Sequence, residues 1–458
     1  QTSTKRKIPL LRYVIVMVGT LTTAFGISCG YAYNFAVVCN VDQGTDAKGI
    51  YEKSPSNSPV MYFNTNMTNL IYSALPAGTI LGLFILIALS NRVSVRTQVI
   101  FGTAISTLST ALIPIAFDVW PTSTLVLKII QGAATAPTIP LVGHIAGHWT
   151  PMTEIGLFVA ILTSNSQIGL FVTMSSAGPL CDRFGWRSIF YFNAACSAFA
   201  LLLCCLFFYD TPHQHGRLSE EEFTIISPNR KTEVKEKPRV PFRAFFTHSS
   251  VWAVLIAAIG NFNGISPLIV FSAAILKKAV GVTDMEAATY NGVSFLMQLV
   301  FKMASGILSD RWTSVSETFK TGFFNTISSG LAGVLMIATA FLPAENKVLC
   351  ASFITLTQAV IGFNAAGYNR AAMIVTRQYA HFLVTLIGVI IATSTIAEPF
   401  LVMVVAPETT WNQWFFLFIL HGAILAISNV IFCVLIRAEP AKFTETKPMS
   451  QLEDGEKQ

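Results

Sequence analysis

The chain has 458 residues, of which 53% are hydrophobic and only 12% are charged. Soluble domains carry about 25% charged residues, so this composition excludes an ordinary soluble protein and, with its repeated long apolar runs, indicates a polytopic membrane protein. The net charge of +6 is no argument for nucleic-acid binding, because the basic residues follow the pattern of membrane topology.

The first half of the chain predicts six membrane spans. The N-terminal segment is short and basic and shows no cleavable signal pattern, so we expect the first span itself to direct insertion. Six apolar runs near the roughly 20 residues needed to cross a bilayer follow, at residues 13–38, 69–89, 98–117, 124–147, 156–177 and 188–209. The polar loop after the first span contains the sequon Asn66-Met67-Thr68, so Asn66 is a candidate glycosylation site.

The second half repeats this organisation. A polar segment at residues 210–247 cannot cross a bilayer, and six more apolar runs follow at 251–274, 289–308, 322–341, 348–366, 382–405 and 414–435. We therefore predict an all-α integral membrane protein with twelve transmembrane helices in two six-helix bundles. The predicted units are an N-terminal bundle (1–209), a cytoplasmic linker (210–247), a C-terminal bundle (248–437) and a disordered cytoplasmic tail (438–458).

Charge distribution predicts the orientation. If the N-terminus is cytoplasmic, the linker, the tail and alternate loops collect about 21 of the 30 lysines and arginines. Both termini are therefore expected to be cytoplasmic.

A short internal repeat supports a two-bundle transporter. The loop after span two reads Leu89-Ser90-Asn91-Arg92, and the loop after span eight reads Leu308-Ser309-Asp310-Arg311. Similar tetrapeptides in equivalent loops, with twelve spans and a central linker, indicate parallel repeats of the kind found in secondary transporters.

The fourth span has the character of a pathway wall. It combines Lys128, Gln131 and two prolines with small residues such as Gly132, which allow another backbone to approach closely. A charge inside a span is costly, so Lys128 either lines a cavity or extends to the interface.

Several motifs carry a family resemblance. They are Gln131-Gly132, Pro140 and Trp149-Thr150-Pro151 with Glu154; Gly185-Trp186-Arg187-Ser188-Ile189-Phe190-Tyr191; Leu218-Ser219-Glu220-Glu221-Glu222; and Gly367-Tyr368-Asn369 with Tyr379-Ala380. These stretches resemble the anion/cation symporters of the major facilitator superfamily, solute carrier family 17, which includes sialin, vesicular glutamate transporters and sodium–phosphate transporters. The resemblance implies an alternating-access carrier for organic anions in the plasma membrane or a lysosomal or vesicular membrane, driven by protons, sodium or membrane potential.

The departures from the family pattern concern charge. Lys128 stands for an arginine and Thr135 for an acid in span four, Asn261 for an arginine in span seven, Tyr72 for a histidine in span two, and Ala32 for an arginine in span one. Lysine lacks the planar fork that binds a carboxylate with two hydrogen bonds. We therefore expect poor recognition of dianions and better recognition of monoanions or zwitterions.

The candidate substrate-binding residues are Lys128, Gln131, Asn34, Tyr72, Asn261 and Asn263. The asparagines either read a polar substrate or join membrane helices by hydrogen bonds. The candidate coupling or gating residues are Glu398, Lys302, Asp310 and Arg311. Lys302 either has a gating role or extends to the cytoplasmic interface, and Asp310 is expected at the N-terminal end of a neighbouring helix such as span eleven.

Depth suggests a charge pair between the bundles. Lys128 and Glu398 lie about 20 and 17 residues, or roughly 30 and 25 Å, above the cytoplasmic ends of their spans. They either form an interbundle pair that closes the outer gate, or each faces polar neighbours of its own.

No enzymatic constellation, metal-ligand spacing or cofactor motif is present in the sequence, so we predict neither an enzyme nor a cofactor. Cys39 and Cys181 fall in predicted outer loops, where a disulfide between them is left open by the sequence. Three functions compete: a carrier of a small organic anion or zwitterion, a carrier of a neutral or cationic solute, and a transport-dead receptor or scaffold. The modest linker and short tail favour transport, with a small-molecule substrate, a co-transported proton or sodium ion and the lipid bilayer as partners.

Overall fold

The computed structural model describes residues 10–39, 65–89, 92–151, 155–216, 218–226 and 241–444. Within these ranges every regular element is a helix. In the first half the α-helices are α1 (Leu11–Ala36), α2 (Thr65–Leu89), α3 (Val95–Val119), α4 (Ser123–Thr135), α5 (Thr138–Trp149), α6 (Ile155–Thr163), α7 (Asn165–Phe184) and α8 (Trp186–Phe207).

Two short helices, α9 (Glu220–Ile226) and α10 (Phe242–Thr247), lie in the linker. The second half contains α11 (Ser249–Ala274), α12 (Asp284–Arg311), α13 (Glu317–Asn325), α14 (Ala332–Ala340), α15 (Lys347–Val360), α16 (Tyr368–Thr376), α17 (Ala380–Val405) and α18 (Trp411–Leu435). Short segments with tighter or wider helical turns adjoin these helices. Ile275–Val280 continues α11, Thr326–Leu331 joins α13 to α14, and Ile361–Ala365 extends α15.

These helices form the twelve-helix arrangement that the sequence predicts. In the described part of the chain, eleven helical runs are long and apolar enough to cross a membrane. The remaining span, the fifth, is α6 followed by α7; it breaks at Ser164 and is rich in serine, threonine and amide side chains. Span four also breaks, between α4 and α5 at Ala136 and Pro137, because proline donates no backbone hydrogen bond. The residue boundaries of the predicted domains stay a prediction.

Two expected loops are helical instead. Asp310 and Arg311 form the last turn of α12, and Cys181 lies in the last turn of α7. Hydropathy marks the part of a helix that lies in lipid, whereas backbone hydrogen bonds continue to the next cap. At the start of α12, for example, Thr283 and Glu286 form a capping box beyond the apolar run.

The disulfide that the sequence left open is formed. Cys39, in the turn after α1, is bonded to Cys181 of α7, with 5.8 Å between their Cα atoms. We call this end of the molecule the disulfide end, and the opposite end, where α9 and α10 lie, the linker end.

Glycines allow α2 and α4 to pack at backbone distance. A Cβ atom at Gly132 would lie 2.0 Å from the carbonyl oxygen of Leu75, and one at Gly78 would lie 2.1 Å from that of Ile129. The close approach predicted for the small residues of span four is therefore present at Gly132.

The buried apolar clusters show which end is closed. The cluster at the disulfide end takes residues from both halves, among them Tyr33, Phe190, Phe271 and Trp414. At the linker end, one cluster draws only on residues of the first half and of α9, and another only on residues 245–441. The halves are thus packed together at the disulfide end and separately at the linker end.

The acidic motif of the linker is attached to the first half. The carboxylate of Glu222, in α9, accepts hydrogen bonds from the backbone N–H groups of Leu11 and Arg12, each 3.0 Å long, and lies 3.5 Å from the Arg12 guanidinium. A negative group here satisfies free N–H groups of α1 and complements its dipole. The first part of the linker is therefore a cap on α1.

We predict that Gly132→Ala lowers the melting temperature of the purified protein, measured by tryptophan fluorescence. The added methyl group meets backbone, which moves only if α2 and α4 separate, so we expect a loss of about 1–3 kcal/mol. The matched control is Gly143→Ala in α5, where nothing lies within 4 Å of the added atom. Equal melting temperatures for the two variants would contradict this packing.

Candidate functional site

Lys128 is a buried cation in the first half. Its side chain is 1% exposed, and Nζ donates to the Gly30 carbonyl oxygen at 2.8 Å and to Gln131 Oε1 at 2.9 Å. It also lies 5.7 Å from the centre of the Tyr33 ring, within range of a cation–π interaction. Both acceptors are neutral, and no carboxylate of the described residues forms an ion pair with Lys128.

Gln131 continues this arrangement. Its Nε2 donates to the Cys29 carbonyl oxygen at 3.2 Å and to Thr110 Oγ1 at 2.6 Å. Lys128 and Gln131 thereby hold two successive carbonyl groups of α1 and tie α1, α3 and α4 together.

A second polar layer lies beside this one and was not found from the sequence. Ser28 bonds to Asn193 Oδ1 and lies 2.6 Å from Thr173 Oγ1, and Thr173 donates to the same Asn193 oxygen at 3.1 Å. The available signal was Asn193 itself, an amide inside the apolar run of span six.

Asn34 and Tyr72 join the two halves. Asn34 Nδ2 donates to the Val270 carbonyl oxygen of α11 at 3.0 Å. The Tyr72 ring packs edge-on between Tyr33, at 5.3 Å, and Phe271 of α11, at 4.9 Å. Both predicted substrate-binding residues therefore close the disulfide end in this conformation, and their role in binding stays a prediction.

The two asparagines of α11 have different surroundings. Asn261 is 1% exposed, and its Oδ1 accepts from Asn364 Nδ2 at 3.4 Å. The side chain of Asn263 bonds only to the Ile259 carbonyl of its own helix, at 2.8 Å. Asn364, which the sequence analysis did not single out, is therefore the partner that connects Asn261 to span ten.

Glu398 has a partner that the sequence analysis missed. Its Oε1 lies 3.4 Å from Nε2 of His421 in α18, and both side chains are buried. Nδ1 of His421 donates to the Asn263 carbonyl oxygen at 2.8 Å. The available signal was a lone histidine in the middle of an otherwise apolar span.

Of the two alternatives that depth left open, the pair of Lys128 with Glu398 is not formed in this conformation. The ammonium is held by Gly30 and Gln131, and the carboxylate faces His421. Similar depth along two helices does not place two side chains on facing surfaces, so the alternative of separate polar neighbours holds in this conformation.

Lys302 of α12 contacts the first half. Its Nζ donates to the Thr163 carbonyl oxygen at 2.5 Å and lies 3.5 Å from Gln167 Oε1, at the break between α6 and α7. Lys302 thus connects the halves instead of extending to the interface.

The partner of Asp310 also corrects an expectation. Asp310 forms an ion pair of 2.5 Å with Arg370 of span ten, not a contact with the start of span eleven. Arg370 also binds Glu317 at 2.8 Å, and Glu317 binds Lys320 at 2.7 Å. Arg311 is exposed at the end of α12.

The remaining predicted positions are peripheral or outside the structure. Asn66 is exposed at the start of α2, and its glycosylation stays a prediction. Asn91, the first-half counterpart of Asp310, lies outside the described residues.

Comparisons with known proteins agree with this arrangement. A family model described as Major Facilitator Superfamily matches residues 11–397. Sialin of Homo sapiens is 22% identical over 344 residues, which cover 74% of this chain and 68% of that protein. Vesicular glutamate transporter 1 of Bos taurus is 24% identical over 463 residues, which cover 97% of this chain and 80% of that protein. The crystal structure of a D-xylose–proton symporter, at 13% identity, shows the same fold with a TM-score of 0.67 over 93% of this chain and 98% of that one.

We predict that Asn34→Ala opens the disulfide end. Loss of the bond to Val270 removes about 1 kcal/mol from the closed state, which shifts the conformational equilibrium roughly fivefold. Double electron–electron resonance between spin labels at Val119 and Val348, exposed in opposite halves at this end, measures the shift. Exposed free cysteines are first replaced.

The control for this measurement is Asn263→Ala, since the Asn263 side chain bonds only within its own helix. Identical distance distributions for Asn34→Ala and the parent protein would show that this hydrogen bond does not hold the disulfide end closed.

Proposed function

Because the chain belongs to the Major Facilitator Superfamily and is a transporter, we propose that it carries a small organic monoanion or zwitterion by alternating access, coupled to protons or sodium. The observation that carries the proposal is the buried Lys128, whose positive charge meets only neutral acceptors. A buried charge without a counter-charge is costly, so an anion that reaches it gains a strong interaction.

The chemistry around Lys128 favours a singly charged group. An ammonium is a compact point charge, whereas an arginine fork would suit a second carboxylate or a phosphate. The amides of Asn261 and Asn364 offer neutral hydrogen bonds from the other half. The relative named as a glutamate transporter suggests an acidic substrate, and we propose that this chain takes one with less negative charge.

Alternating access requires the halves to separate at the disulfide end. The contacts that break are those of Asn34 with Val270 and of Tyr72 with Phe271. Because these residues adjoin Lys128 through the Tyr33 ring, binding at Lys128 and opening of this end are physically linked.

We predict that, in reconstituted proteoliposomes, the wild type takes up a monocarboxylate, a sugar acid or a neutral amino acid in preference to glutamate, inorganic phosphate or an organic cation. Lys128→Ala is expected to abolish uptake, and Lys128→Arg to retain it with altered KM or selectivity. The control is Lys347→Ala. Lys347 also donates to a carbonyl group, that of Gly281 at 2.6 Å, but it is exposed and lies at the disulfide end.

Two results would overturn this proposal. Unchanged anion uptake by Lys128→Ala, at equal thermal stability, removes this lysine from the substrate site. Preferred uptake of the organic cation supports the alternative of a cationic or neutral solute.

We also propose that the linker and both termini are cytoplasmic and that the disulfide end faces the outside or an organelle lumen. The excess of basic residues at the linker end and the oxidising conditions that disulfides require support this orientation. In intact cells with the chain at the plasma membrane, an impermeant maleimide should label Val119→Cys and spare Glu221→Cys. The opposite labelling would reverse the orientation.

A further inference from the structure

Glu398 and His421 are a buried acid–base pair in a region otherwise poor in charge. They are 3% and 2% exposed and come from α17 and α18, and His421 contacts the backbone of α11. The helices α2, α11 and α18 contain no aspartate, glutamate, lysine or arginine. Among the ion pairs of the described residues, the carboxylate and the imidazole have only each other as partners.

The surroundings of the two side chains limit how many protons the pair holds. The Asn263 carbonyl only accepts, so His421 Nδ1 carries a hydrogen. Nε2 and Glu398 Oε1 lie 3.4 Å apart in an ion-pair contact that is not a hydrogen bond, and one further proton can reside on either atom. On Nε2 it gives an imidazolium beside a carboxylate, and on Oε1 it gives two neutral groups.

Both arrangements have zero net charge. Loss of the shared proton leaves a net charge of −1, and gain of another leaves +1. Either change places an uncompensated charge in a low-dielectric interior, which is costly. While the pair is buried, it is therefore stable with one shared proton.

The pair also lies next to a contact between the halves. Ser73 of α2 donates to the Ile396 carbonyl oxygen of α17 at 3.2 Å, two residues before Glu398. Pro399 follows Glu398 and removes one backbone N–H from α17. Separation of α2 from α17 would expose the segment that holds the carboxylate to water.

We propose that Glu398 and His421 form a proton-responsive site of this transporter, which keeps one proton while the disulfide end is closed and exchanges it with water on that side when the end opens, so that the pH on that side biases the opening. The inference rests on the proposed alternating-access function and names the groups through which that pH acts. Because His421 Nδ1 donates to the Asn263 carbonyl, a movement of the imidazole would also move α11 close to Asn261.

Other titratable groups on the surrounding helices are placed differently. The side chain of Tyr72 on α2 packs between aromatic rings, Lys277 after α11 is paired with Asp284 at the disulfide end, and Arg370 on α16 is paired with Asp310. The further titratable residues on or directly after these helices are Lys278, Tyr368, Arg377, Tyr379, His381, Glu408, Cys433, Arg437 and Glu439. Among the described ion pairs, only His421 contacts Glu398.

A substrate-independent test uses infrared difference spectroscopy of the reconstituted full chain during a pH titration. As the pH falls and the pair takes up a second proton, the carbonyl-stretch component of protonated Glu398 should appear in the wild type, be absent in Glu398→Gln and shift its midpoint in His421→Gln. The control, Glu408→Gln, removes an exposed carboxylate just beyond α17 and should leave the band unchanged. A band that persists in Glu398→Gln, or a midpoint unmoved by His421→Gln, overturns the proposal.

A transport test separates this inference from the proposed function. With a monoanion that the wild type carries, Glu398→Gln should retain exchange without a gradient but lose stimulation by an imposed pH gradient, whereas Glu408→Gln retains both. Stimulation in Glu398→Gln equal to the wild type overturns the proton site. If the wild type carries no tested solute, the proposed substrate class fails, and the infrared titration alone decides the proton site.

Discussion

The buried amino group of Lys128, which forms no ion pair with a carboxylate of the described residues, constrains the interior of the first half. Because the ammonium cannot reach water, it must be solvated by the protein, and the carbonyl group of Gly30 and the amide of Gln131 do so. Gln131 is in turn held by Cys29 and Thr110. The helices α1, α3 and α4 are therefore joined around one buried amino group.

The two halves carry complementary chemistry. The first half buries a cation among neutral acceptors, whereas the second buries the carboxylate of Glu398 against His421. Between them lie the aromatic contacts of Tyr72 and the bond from Asn34 to α11, all at the disulfide end. In the mechanism that we propose, substrate and proton act on opposite sides of the same contact, so motion of one half relative to the other affects both.

Breaks in two spans of the first half make backbone groups available to side chains of neighbouring helices. Span four breaks before Pro137 and span five at Ser164, so each continues as a second helix. At the second break the Thr163 carbonyl receives Lys302 from the other half. Membrane helices tolerate such breaks where a neighbouring side chain supplies the hydrogen bond.

The length of the apolar runs and the distribution of basic residues can be read from the chain itself. The thickness of the bilayer sets the length of a span, and the uneven distribution of lysine and arginine between the loops sets the expected orientation. These two features were sufficient for the twelve-helix fold, whereas the family and the class of function followed from the motifs that resemble solute carrier family 17. Sequence also identified Lys128, Gln131 and Glu398 as unusual, because charged and polar groups are costly in lipid. Their partners were decided only by tertiary structure: His421 for Glu398, Arg370 for Asp310 and the Gly30 carbonyl for Lys128. Depth along a helix can be counted from residue numbers, but the face that a side chain presents depends on how the helices rotate and pack against one another.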